Sequence, residues 1–202
     1  MLEFAVFLMG ALLVVEVRVL RALGAYAVLT AVITAYAALS GSLNWYALTI
    51  VVLTAAAKLV AAPLGIVYIV RGNPSAGRTR PVLSMPARVA LVVIAAALSQ
   101  VVAAMPAFAG IAQANLVVYT LLCGVLMLVN NRNLLAHVMG LLTIGTSLTL
   151  AGAIVAPGIP GSLELGAAFD ALLATLLAIG LARALLQYDP ALDIVTLRHL
   201  KG

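Results

Sequence analysis

The chain of 202 residues is 65% apolar and 8% charged, against about 45 to 50% and 25% in a typical soluble domain, and its mean hydropathy is +1.24. No soluble core of this length hides so much apolar surface, so the balance excludes an ordinary globular protein, a disordered chain and a collagen-like repeat, and the single cysteine, Cys123, excludes a disulfide scaffold. The net charge of +5 reads as membrane topology and not as nucleic-acid binding, because of where the basic residues sit.

About 20 apolar residues cross a bilayer at a rise of 1.5 Å each. Seven such stretches are predicted, at 4–20, 23–40, 45–70, 86–105, 108–129, 134–155 and 164–186. The first has its apolar part shortened by Glu16 and Arg18, and its start, Met1-Leu2-Glu3-Phe4, lacks the basic region of a cleaved signal peptide, so it is read as a retained span. Breakers follow in order: Gly41 with Asn44, Gly72-Asn73-Pro74, Pro106, and Pro157-Gly158-Ile159-Pro160-Gly161. The expected fold is an all-α, polytopic transmembrane helical bundle of about seven spans. Residues 1–80 form a three-span region with a basic loop, 81–107 a connecting span, and 108–202 a three-span module with a tail.

Charge placement orients the bundle. Arg18, Arg21, Arg71, Arg78, Arg80, Arg88, Arg132, Arg183, Arg198 and Lys201, ten of the 11 basic residues, fall on one side of the seven-span arrangement. The opposite connections, near Gly41, Pro106 and Pro157, carry none. By the positive-inside rule the N-terminus is outside and the C-terminus cytoplasmic. The long basic connection from Arg71 to Arg88 reads as a solvated topological determinant or as a contact for anionic lipid heads.

A charge in hydrocarbon costs about 2.5 to 3.5 kcal/mol on insertion scales, so ionisable residues within spans are functional candidates. Lys58 falls about 13 residues into the third span, roughly 20 Å along it, among Ala55, Ala56, Ala57, Ala61 and Ala62 and just before Pro63. Small residues permit close helix approach, and Pro63 frees a carbonyl near residue 59. Lys58 is either a functional or intersubunit charge, or a side chain that snorkels to the cytoplasmic interface. Asp170 falls roughly 9 Å into the last span, which would put it about 10 Å away from Lys58 in depth. It reads equally as a proton-relay carboxyl and as a structural hydrogen-bonding group. Glu164 is placed at the outer interface, Glu16 at the interface or as a third intramembrane charge, and His137 near the cytoplasmic end of the sixth span as a structural residue or a proton donor. No phosphate loop, metal-ligand cluster or nucleophile triad occurs, and two histidines with one cysteine leave no place for a haem between helices or an iron-sulfur cluster.

Asn131-Arg132-Asn133-Leu134-Leu135, followed by Ala136-His137-Val138-Met139-Gly140-Leu141, then Gly166-Ala167-Ala168-Phe169-Asp170-Ala171 and the ending Leu197-Arg198-His199-Leu200-Lys201-Gly202, resemble the three-span K subunit of respiratory complex I and the related C subunit of multisubunit sodium/proton antiporters, over roughly residues 108–202. The whole chain is similar to the E subunit of hydrogenase-4, with Thr54-Ala55-Ala56-Ala57-Lys58-Leu59-Val60-Ala61-Ala62-Pro63-Leu64 as its third-span signature. The resemblance implies a non-catalytic, multi-pass subunit of the prokaryotic cell membrane within a formate hydrogenlyase-like, energy-converting complex. Its implied partners are antiporter-like and other membrane subunits and a peripheral redox arm; nickel-iron and iron-sulfur centres are expected in those partners and no cofactor in this chain. These families carry a glutamate in the span equivalent to the sixth, whereas this chain has Gly140-Leu141-Leu142-Thr143-Ile144-Gly145-Thr146-Ser147. A relay would then run through Thr143, Thr146, Ser147 and water, or the subunit conducts neither protons nor sodium and is purely structural. A stand-alone secondary transporter is the remaining alternative, against which stands the lack of an internal repeat.

Overall fold

The structure, a computed structural model, describes residues 2–40, 49, 52–108, 110–111, 113–155, 162–186 and 192. The predicted breaks at Gly41 and Asn44 and at 157–161, the tail with Arg198 and Lys201, and the side chains of Glu164 and Asp170 lie outside the described residues.

Seven helices make up the described chain: α1 (Leu2–Val15), α2 (Val19–Ser40), α3 (Val52–Gly72), α4 (Met85–Ala103), α5 (Ala114–Asn130), α6 (Leu134–Val155) and α7 (Ser162–Leu186). The fold is all-helical; two isolated bridges are its only β-type pairing among the described residues. Four helices, α2, α3, α4 and α6, are long and apolar enough to cross a membrane. The helices α1 and α5 are equally apolar but span 14 and 17 residues.

Two predicted boundaries shift for local reasons. The first span, drawn to residue 20, ends at Val15, because the Glu16 carboxylate accepts the amides of Val17 and Arg18 at 3.1 Å and turns the chain into α2. The fifth begins at Ala114 instead of 108, after a 3-10 turn at Pro106–Phe108 and a left-handed Gln113 with φ of 61°.

Packing relies on small residues where helices touch. Helices α5 and α6 run antiparallel and meet at Gly124 and Gly140, where a Cβ on either would lie 2.9 Å from the other's carbonyl oxygen. Their backbones therefore touch, which suits association in lipid, where apolar side chains gain little by leaving the solvent. Helix α1 lies along α5: the Tyr119 hydroxyl donates to the Phe7 carbonyl at 2.8 Å, and Gly10 makes room for the Tyr119 ring. Helix α7 lies along α3. Gly65 accommodates Ile179 and Thr175, and farther along both helices Arg183 donates to the Tyr68 hydroxyl at 3.1 Å with its guanidinium 5.3 Å over the ring. Both contacts advance in the same chain direction, so α3 and α7 are parallel. Helix α4 is peripheral, burying only Arg88, Val92, Ala95 and Ser99.

At one end of the bundle, residues 78–83 form an extended strap. Arg18 opposes Arg78 in one antiparallel bridge and Pro81 opposes Asn131 in the other. The Thr79 amide donates to the Val17 carbonyl at 2.8 Å, the Val82 amide to Asn130 at 2.7 Å, and the Arg132 amide to Arg80 at 3.0 Å. Asn133 clamps the strap with Nδ2, which donates to the carbonyls of Ala76 and Arg78 at 3.3 and 3.0 Å, while its Oδ1 accepts the Leu135 amide at the start of α6. The strap thus joins the connections that bear Arg18, Arg78, Arg80 and Arg132.

Candidate functional site: a buried lysine on a widened helical turn

Residues Ala56–Ala61 of α3 form a π-helical turn, in which the Ala62 amide donates back five residues to the Ala57 carbonyl. Pro63 supplies the cause. It has no N–H, so a continuous α ladder would leave the Leu59 carbonyl facing a missing donor, and a wider register carries the ladder past the gap.

Lys58 sits on this turn, 1% exposed. Its Nζ donates to the Thr149 hydroxyl at 2.7 Å and to the Gly145 carbonyl at 3.2 Å, both on α6. The snorkelling alternative is therefore not adopted: the ammonium points into the bundle. Hydrogen bonds to a charged group are worth about 1.5–3 kcal/mol each, enough together to offset the insertion cost of one lysine.

Thr149 ends a row of hydroxyls three residues apart on α6. Thr143, Thr146 and Thr149 donate to the carbonyls of Met139, Leu142 and Gly145 at 2.7, 2.9 and 2.9 Å. Donating to its own helix leaves each oxygen free to accept. Thr149 accepts from Lys58, and Thr146 lies 3.5 Å from the Thr30 hydroxyl of α2. One turn along α2, the buried Tyr26 hydroxyl lies beside Thr30 and Thr146 and makes no hydrogen bond of its own. Lys58, Thr149, Thr146, Thr30 and Tyr26 thus form a polar seam between α3, α6 and α2. All five are buried.

The other predicted residues distribute around this seam. Ser147 leaves it, donating to the Val117 carbonyl of α5 at 2.8 Å. Glu16 belongs to the connector between α1 and α2, where its Oε2 lies 3.8 Å from Arg21. His137 is half-buried in the first turn of α6, its Nδ1 3.0 Å from the Asn133 carbonyl. Asp170 lies on α7, on the N-terminal side of Thr175 and Ile179, which face Gly65 of the parallel α3.

Tyr26, Thr30, Thr149 and Gly145 were absent from the sequence-based set. Thr149 carried a signal, since it continues the spacing of Thr143 and Thr146; Tyr26 and Thr30 carried none beyond being polar in an apolar span. Arg88, counted with the exposed basic loop, is instead 4% exposed and donates through Nη1 to the Val15 carbonyl at the end of α1, a favourable place for a cation. Among the described residues no three His, Cys, Asp or Glu side chains converge to hold a metal.

No protein-family model, curated protein or solved structure matches the chain.

Proposed function

We propose that the chain is a non-catalytic, multi-pass subunit of an ion-coupled redox complex of the hydrogenase-4 and complex I kind, placed in the prokaryotic cell membrane with seven spans, its N-terminus outside and its C-terminus cytoplasmic. In this reading it links antiporter-like subunits to the rest of the membrane arm. The observation that carries the proposal is the inward-facing, hydrogen-bonded Lys58, in a chain with the apolar helices of a membrane protein. A buried ammonium is costly to keep in hydrocarbon, and an ion-coupling role is one reason to keep it. The seam of Thr149, Thr146, Thr30 and Tyr26 extends from Lys58 across two further helices.

A second reading, a structural subunit without an ion path, is favoured by the lack of an acid in α6. The hydroxyls of Thr143, Thr146 and Thr149 hold water but do not store a proton near neutral pH. The deciding experiment is purification of the tagged chain from its native membrane in mild detergent, with the co-purifying proteins identified by mass and hydrogenase activity and metal content assayed on the same fraction. Antiporter-like subunits with a metal-bearing arm support the subunit reading; recovery alone, or only with itself, rejects it in favour of a stand-alone transporter.

A further inference from the structure

A groove of about 250 Å³ opens on the outer face of the α1/α2 pair. Met9, Leu12, Gly24, Ala25 and Val28 line its length, and Glu16 and Arg21 stand at its mouth. Gly24 has nothing within 4 Å of where a Cβ would be, so the groove is open along its middle. The walls are apolar and the polar groups lie at one end only, where α1 ends and α2 begins.

The charge at that end is unbalanced. Arg18 and Arg78 face each other across the strap as a pair flanked, not joined, by the Thr79-to-Val17 hydrogen bond, the pairing type that brings side chains closest. Like charges so opposed are destabilising, and neither arginine makes an ion pair among the described residues. The nearby carboxylate, Glu16, is engaged by the amides of Val17 and Arg18 and by Arg21. Backbone pairing on both sides of the strap holds the arginines together regardless. Arg18, one turn before Arg21, and Arg78, opposite it in the bridge, thus add two positive charges to the end of the bundle where Glu16 and Arg21 stand.

From the apolar groove and its basic mouth, we infer that α1 and α2 seat one acyl chain of an anionic phospholipid, whose phosphate is held by Arg21, Arg18 and Arg78. Arginine suits this role because its planar fork binds two phosphate oxygens at once. A helix from a partner protein would fill the apolar part but would leave the opposed arginines unneutralised unless it also brought acids. The inference does not depend on the redox assembly, since it concerns the isolated chain in lipid.

The test is native mass spectrometry of the full chain in detergent with added phosphatidylglycerol or phosphatidylcholine, and with inorganic phosphate as competitor. Phosphatidylglycerol should be retained in preference to phosphatidylcholine, and Arg18→Gln and Arg78→Gln should each weaken its binding roughly fivefold. Gly24→Leu, whose Cβ meets no other atom within 4 Å and whose branched end would occupy the groove, should release the lipid while leaving the elution profile unchanged. Equal retention of the two lipids overturns the inference. So does phosphate binding that depends on the arginines but ignores Gly24→Leu, which would mark a free-anion site. Loss of a co-purifying protein, and not of lipid, in Gly24→Leu would assign the groove to a partner helix and likewise overturn it.

Discussion

The ammonium nitrogen of Lys58 lies 2.7 Å from the hydroxyl oxygen of Thr149, with the Gly145 carbonyl as a common acceptor for both. This closed triangle joins α3 to α6 and fixes which way the lysine points. Replacing Thr149 with Val keeps the volume and removes one acceptor, so it should lower stability by about 1.5–3 kcal/mol. Thr149→Ser should restore most of that. Thermal unfolding of both variants in detergent provides the comparison, and a Thr149→Val protein as stable as the parent would show that the bond contributes nothing.

Lys58 and Asp170 separate an ion path from a structural role. In the intact complex, Asp170→Asn should reduce redox-driven proton movement severalfold while the subunit composition stays the same. Lys58→Leu should do likewise, with a loss of stability where it leaves a buried carboxyl uncompensated. Proton uptake by membrane vesicles, with the composition of the complex determined in parallel, measures both. Unchanged uptake rejects the relay, and loss of a neighbouring subunit in Lys58→Leu would make the lysine an intersubunit contact.

Gly124→Ala places a methyl 2.9 Å from the Gly140 carbonyl and 3.0 Å from the Ile144 amide nitrogen. Backbone cannot give way cheaply there, so a loss of about 1–3 kcal/mol is expected. Gly152→Ala on the same α6 meets nothing within 4 Å, and should be neutral or gain up to about 1 kcal/mol from helix propensity. A small Tm difference between the two variants would contradict the tight α5/α6 contact.

Asn133→Ala should loosen the strapped end. It removes the donor to Ala76 and Arg78 and the acceptor for the Leu135 amide in one step, and is expected to cost about 1–3 kcal/mol. Limited proteolysis should then cut between residues 72 and 85 faster than in the parent. Unaltered cleavage would mean that the backbone pairs alone hold the strap.

Much of this architecture was legible in the chain. Apolar runs located the helices, and the Lys58 to Pro63 interval announced an interrupted helix because a proline inside an apolar span removes one donor at a known position. What stayed hidden depends on long-range register. The approach of Thr30 to Thr146 joins residues 116 apart, and nothing local to either announces the other. Arg88 looked like one more surface cation, and only the end of α1 beside it explains its burial. The strap left no trace in composition, since it is held mainly by amides and carbonyls that every residue carries.

The strap also imposes an order of events on a chain made from its N-terminus. Its first partner, Val17, has already been synthesised when Thr79 emerges, but Leu83 must wait 47 residues for the Asn130 side chain that receives its amide. One edge of the strap can therefore dock while the other still faces water, and closing that second edge is possible only after α4 and α5 have been made. The late closure sews the first three helices to the last ones, so a chain stalled before Asn130 retains a half-paired edge.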